Sequence, residues 1–208
     1  MWWALPFAWA VDPPPIFDRP LPFDAERAAL SVAYLREHYG LVVDTPTIVP
    51  TAVVIHWTAG PSFESLFTTF APTRLRGRPE LSAASPLNVS SQFAVDRDGT
   101  IYRLLPETTM ARHTIGMNWD AIGVENVGGG RHGPLTEAQA RADAALVRWL
   151  TTRFPITMLL GHDEYLKLEG TPYFRERQPD YRTKKEDPGP EFMKRLRSEL
   201  ADLKLAAP

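Results

Sequence analysis

The chain contains no cysteine. That absence excludes disulfides, thiolate metal sites and cysteine nucleophiles together, so any metal must be held by His, Asp or Glu. An excess of positive charge is missing too. Lys and Arg number 23 against 25 Asp and Glu, for a formal charge of −2. This removes the electrostatic footprint of a nucleic-acid binder. No stretch approaches the ~20 apolar residues of a membrane span. Nor is there a shortage of apolar residues: 44% are hydrophobic and 23% charged, which is ordinary globular composition. At 208 residues the chain can bury on the order of 70% of its unfolded surface and needs no staples. Twenty prolines point to long ordered loops rather than a helical bundle.

The first ten residues, Met1 to Ala10, carry no charge and end in Ala8-Trp9-Ala10. That is the small-residue pattern found at the end of a secretory signal, although a basic start is lacking. Residues 11–22 hold Pro13-Pro14-Pro15, Pro20 and Pro22 and read as an extended arm without periodicity. The expected organisation is therefore an apolar, proline-rich arm over residues 1–22 and a single domain over 23–208.

Asp24 caps a helix whose apolar stripe is Ala28, Val32, Leu35 and Tyr39, with Gly40 as its stop. Residues 51–56 form a short apolar strand, and Ser62 opens a short helix to Phe70. Residues 71–87 read as a long loop. Residues 91–95 and 100–104 flank Asp98-Gly99 as a hairpin. A further strand covers 121–125, ended by Gly128-Gly129-Gly130. Thr136 and Gln139 make a capping box for a helix burying Ala142, Ala145, Leu146, Trp149 and Leu150. A strand at 157–161 delivers His162, and a last helix, about 190–203, buries Phe192, Leu196, Leu200 and Leu203. Strands interleaved with helices predict an α/β fold, a central mixed sheet flanked by helices.

There are five histidines. His38 lies in the last turn of the first helix, where a cation meets the negative dipole end, and reads as structural. His132 follows three glycines and reads as exposed without a role. His56 and His162 each stand at the C-terminal end of an apolar strand, where side chains leave the core and meet a cleft. With Asp187 they supply two imidazoles and one carboxylate, a three-ligand zinc set that leaves one position for water.

The text around these residues occurs in a telling order: Val54-Ile55-His56-Trp57-Thr58, Val95-Asp96-Arg97-Asp98-Gly99-Thr100-Ile101-Tyr102, Ala111-Arg112-His113-Thr114-Ile115-Gly116-Met117-Asn118, Ile122-Gly123-Val124-Glu125-Asn126-Val127-Gly128, Leu135-Thr136-Glu137-Ala138-Gln139, Gly161-His162 and Asp187-Pro188-Gly189-Pro190. Together, from about Thr51 to Phe192, they resemble the zinc-dependent N-acetylmuramoyl-L-alanine amidases of the type 2 family. That family includes the phage lysozyme-like amidases and the peptidoglycan recognition proteins. The resemblance implies hydrolysis of the amide between the lactyl group of N-acetylmuramic acid and L-alanine of the stem peptide, in peptidoglycan or its fragments. It also implies Zn²⁺ held by His56, His162 and Asp187. Glu125 matches the catalytic glutamate of the muropeptide-recycling branch, and Lys185 its lysine. Members without the glutamate use a tyrosine before the hairpin strand; Ser91 stands there, which leaves the acid/base work to Glu125. Trp57, His113 and Asn118 match positions at the substrate, with a loop-building role the alternative for His113.

The match has two departures. In the recycling branch the second and third ligands stand much closer in sequence than the 25 positions between His162 and Asp187. Asp163 and Glu164 are the local rivals, but neighbours on an extended chain point to opposite sides. Gln92 stands where many relatives have histidine or asparagine. The inserted segment, 163–184, carries Tyr165, Tyr173, Phe174 and Tyr181 among Arg175, Arg177 and Arg182. Either it walls the cleft, offering aromatic faces to sugars and arginines to stem-peptide carboxylates, or it packs onto the body. The expected partner is peptidoglycan or a muropeptide, met by a monomer with no nucleic acid and no membrane span. The uncharged start favours a periplasmic or secreted protein over a cytoplasmic muropeptide recycler. A non-catalytic peptidoglycan-binding module is the alternative to an enzyme, and such modules lose a zinc ligand.

Overall fold

Six strands form one sheet in the order β1-β4-β3-β5-β2-β6 in the computed structural model, which describes residues 12–208. Their spans are β1 Ile16–Asp18, β2 Ala52–Trp57, β3 Phe93–Val95, β4 Ile101–Arg103, β5 Ala121–Asn126 and β6 Met158–Gly161. Only the β3–β4 hairpin is antiparallel; the other neighbours run parallel. The sheet is therefore mixed, as expected. The export reading rests on residues 1–10, which lie outside the described residues.

Alternation along the strands sends side chains to two layers. Val53, Ile55, Ile122 and Val124 face α4 (Glu137–Thr151) and α5 (Pro190–Glu199), packing with Leu146, Leu150, Phe192 and Leu196. Ala52, Val54, Met158 and Leu160 face the other way, toward Tyr34, Leu35 and Tyr39 of α1 (Ala25–Tyr39). A third cluster seats α2 (Phe63–Phe70) by Phe63, Leu66 and Phe70 against Ala94 and Leu104.

The caps read from sequence are present. Asp24 accepts from Arg27 N, Gly40 closes α1 at φ 72°, Ser62 caps α2, and Thr136 with Gln139 forms the capping box of α4. The buried stripe of α1 is rotated from the apolar one. Arg27, Ser31, Tyr34 and His38 are buried, whereas Ala28 and Val32 are only partly so. Arg27 reverses the expectation because its guanidinium donates to the carbonyls of Phe70, Ala71 and Pro72 at the end of α2. On α4, Ala145 is exposed, and Asp143 is buried in the interior instead.

The proline-rich arm contributes an edge strand: β1 pairs with β4 over three residues. An edge strand needs hydrogen bonds on one side only, so prolines on its flanks are tolerated. The 71–87 loop contains one short helical turn, α3 (Pro79–Ser82). At the C-terminus α5 ends at Glu199, and a 3₁₀ turn over Ala201–Leu203 leaves Leu203 only partly buried.

Candidate metal centre

Strands β5, β2 and β6 lie side by side in parallel, so register fixes which residues meet. His56 pairs with Glu125 across β2–β5, and Ile55 pairs with Gly161 across β2–β6. Positions 52, 54 and 56 share the α1-side face, as do 121, 123 and 125. His162 leaves β6 one step beyond Gly161. Three side chains therefore emerge beside one another from the C-terminal ends of adjacent strands.

Asp187 arrives from the far end of the 163–184 insertion. Its carbonyl accepts from Asp163 N at 2.8 Å, which ties the returning chain to the end of β6. Asp187 Oδ2 then lies 3.0 Å from His162 Nδ1 and 3.3 Å from His56 Nδ1, and the two Nδ1 atoms are 2.9 Å apart. All three residues are buried. These three atoms form a triangle with edges close to the ~3.3 Å expected between ligands about 2.0–2.1 Å from a tetrahedral ion. Three lone-pair donors converging out of water are best satisfied by one shared cation. The donor set and its spacing fit a metal.

Ionisation favours the same arrangement. Burial pushes the His162 imidazole down to about 4, which keeps it neutral and able to ligate. Burial alone would raise the Asp187 carboxyl, but its hydrogen bonds with His162 and His56 win and hold it well below the usual carboxylate range. The local rivals are placed elsewhere. Glu164 accepts from Gly161 N and pairs with Arg197 at 2.5 Å. The Asp163 carboxylate sits behind Gly161, where an added Cβ would come within 2.6 Å of it.

A second set of groups surrounds this triangle. His56 Nε2 lies 3.1 Å from His113 Nδ1 and 3.3 Å from Thr114 Oγ1, while His113 Nε2 is 3.2 Å from Ala121 O. A carbonyl only accepts, so His113 carries its proton on Nε2 and accepts at Nδ1. The His56 proton is thereby drawn to Nε2, leaving Nδ1 free for a metal. Burial, with His56 alongside, holds His113 well below the usual imidazole range. Nothing in the sequence marks Thr114. Its position two before a glycine in a loop carries no signal of its own.

Glu125 is partly buried, with Oε2 shielded and without a hydrogen-bond partner among the described residues. Burial raises its carboxyl to about 7, against the lowering effect of His56. Lys185 is also partly buried, and burial lowers its ammonium from the usual value. Both line an open cleft of about 300 Å³ with His56, His162, Asp187, Trp57 and His113. Trp57 stands over Gly129, at φ 81°, where a Cβ would come within 2.2 Å of the indole.

Asn118 lines the same cleft from within the loop that carries His113. It is fully buried, and its Oδ1 accepts from the backbone N–H of His113 and Thr114 at 2.9 and 2.7 Å. It builds the loop that holds His113. Ser91 is equally inaccessible and donates to Phe93 O. Gln92 bridges the sheet: its Oε1 accepts from Gly123 N, and its Nε2 donates to Thr109 O.

The insertion packs onto the body more than it walls the cleft. Tyr165 is fully buried, with its hydroxyl donating to Thr183 O. Phe174 lies over Gly116, and Arg175 stacks 3.8 Å from the Trp119 ring centroid. Arg182 binds Glu169. His38 is structural, for a reason other than the helix dipole. It is buried, donates from Nδ1 to the Glu176 carboxylate of the insertion, and stacks on Tyr34. Only the last leg, Tyr181 to Asp187, reaches the cleft. His132 is half-exposed in a 3₁₀ turn away from these groups.

A layered α/β domain with a buried His-His-Asp group able to hold one metal ion, and a carboxylate beside it, has the make-up of a metallohydrolase. Residues 44–190 match the N-acetylmuramoyl-L-alanine amidase family, and the chain belongs to that family of hydrolases acting on peptidoglycan. None of the curated proteins matches the chain significantly. Among solved structures it is similar to the endolysin amidase LysCS from Clostridium intestinale: TM-score 0.55, 19% identity, covering 92% of this chain and 98% of that one. A selenomethionine derivative of AmpD aligns with TM-score 0.52 and 24% identity over 88% of this chain and 93% of that one. The endolysin of the Thermus scotoductus phage Ph2119 aligns with TM-score 0.50 and 18% identity, over 89% and 98%. At these identities the likeness speaks to the fold.

Proposed function

We propose that this amidase uses Zn²⁺ bound by His56, His162 and Asp187 to cleave the bond between the lactyl group of N-acetylmuramic acid and L-alanine. The observation that carries the reading is the 2.9–3.3 Å triangle of His56 Nδ1, His162 Nδ1 and Asp187 Oδ2. When bound, zinc lowers the pKa of a water toward ~7 and polarises the amide carbonyl.

The chain's own residues carry the proton and the charge. Glu125 takes the proton of the attacking water at its carboxylate and returns it to the nitrogen of the leaving L-alanine. Its burial near neutrality suits both halves of that exchange. Lys185 sets its ammonium against the oxyanion that develops on the carbonyl oxygen, a charge present only after attack. His113 and Thr114 keep the His56 ring in the ligating tautomer. Trp57 lends an aromatic face at the cleft mouth.

Mass spectrometry of purified peptidoglycan incubated with the protein tests the reading. The expected product is free stem peptide beginning with L-alanine. Release of sugar fragments, or of peptides cut within the stem, would overturn it.

A further inference from the structure

Arg78 belongs to the long 71–87 loop and lines the same cleft as the metal-binding group. Its backbone is left-handed, at φ 51°, directly after Gly77 at φ 68°. That region disfavours any residue with a Cβ, and such strain persists where surrounding structure holds it in place. Here the two-residue turn carries the Arg78 side chain to the cleft.

Among the described residues the guanidinium makes no hydrogen bond. Its nearest carboxylate, Glu80, is 3.9 Å away, beyond hydrogen-bond distance, and the side chain is 45% exposed. The other cleft arginine, Arg112, is buried and donates to the carbonyls of Leu81, Ser85 and Leu87 and to the Tyr181 hydroxyl. Two of the insertion's arginines are engaged as well, Arg175 on Trp119 and Arg182 on Glu169. The carboxylates lining the cleft are Glu125 and Asp187, both belonging to the metal centre. The cleft thus offers one uncommitted guanidinium to an anionic group on whatever lies across the metal.

We propose that Arg78 is a specificity-determining residue that binds a carboxylate of the stem peptide while the scissile amide lies at the metal centre. This inference rests on the amidase reading above. A guanidinium pairs with a carboxylate through two parallel N–H···O bonds, which an amide cannot match in charge or geometry.

The test compares two soluble substrates: N-acetylmuramoyl-L-alanine carrying an acidic second residue, and the same compound with that carboxylate converted to an amide. The wild type is expected to favour the acid by roughly tenfold in kcat/KM, the size of one charge-assisted hydrogen bond. Arg78→Ala should raise KM for the acid about tenfold, leave kcat nearly unchanged, and erase the preference. Arg78→Lys should restore part of it, and zinc content should stay the same in both variants. Equal use of both substrates by the wild type, or equal loss on both in Arg78→Ala, overturns the proposal while the amidase reading stands. Cleavage of neither by the zinc-loaded wild type overturns the amidase reading and the proposal with it.

Discussion

At His56 the two ring nitrogens have different tasks. Nδ1 faces His162 and Asp187, while Nε2 faces His113 and Thr114. Partners of this kind that fix a ligand's tautomer are typically worth 10–100-fold in metal affinity. His113→Ala should therefore weaken zinc binding about tenfold or more by competition with a chelator. Thr114→Val should weaken it less, since the His56 Nε2–Oγ1 approach is the longer one at 3.3 Å. Unchanged affinity in His113→Ala would assign that residue to the substrate instead. Glu125 is the converse case, because it shares a face with His56 without being one of the three groups able to hold a metal. Glu125→Gln should retain zinc and native circular dichroism and lose ~10²–10⁴-fold in turnover. Loss of the metal in that variant would make Glu125 structural.

Two elements carry predictions of their own. Helix α4 buries Asp143 under the strand ends, where Oδ2 accepts from Asn126 Nδ2 at 2.9 Å. Asn126 Nδ2 in turn reaches His56 O. Burial raises the Asp143 carboxyl to about 8, against ~3.9 for a solvated one. Between those values the folded state holds a proton that the unfolded state has lost, so stability falls as pH rises from about 4 to 8. Asp143→Asn should flatten that part of the Tm–pH curve and be at least as stable as the wild type at pH 8. An unchanged slope would remove Asp143 from the account. The insertion is the second element. Its Tyr165 is fully buried against the α1-side core. Tyr165→Ala should cost about 3–5 kcal/mol, or roughly 6–20 °C in Tm by calorimetry, whatever the substrate. A small Tm change with selective loss on large wall fragments would restore the cleft-wall reading.

For the molecule as a whole, much of this arrangement was legible because its signals are local. Caps at Asp24, Ser62 and Thr136, the Asp98-Gly99 turn and the apolar strands ending in His56 and His162 each announce themselves within a few residues. The trio able to hold a metal was legible through motif order, and Asp187 over its rivals through strand geometry. What stayed hidden depends on distant partners. The buried Arg27 needs three carbonyls at the end of α2, more than forty residues on. His38 needs Glu176, and β1 needs β4 to pair with. The loop-building role of Asn118 shows only once its two backbone donors are seen, and Arg175 and Arg182 read as free until Trp119 and Glu169 are in place. Arg78 falls inside a stretch that sequence reads only as loop.

The central claim is that His56, His162 and Asp187 together hold one zinc ion, from which the amidase chemistry follows. Elemental analysis of zinc per chain, on wild type and on a folded His162→Ala variant purified without chelator, tests it most directly. The account predicts about one zinc per wild-type chain and close to none in the variant. Equal zinc in both, or none in an active wild type, would contradict it.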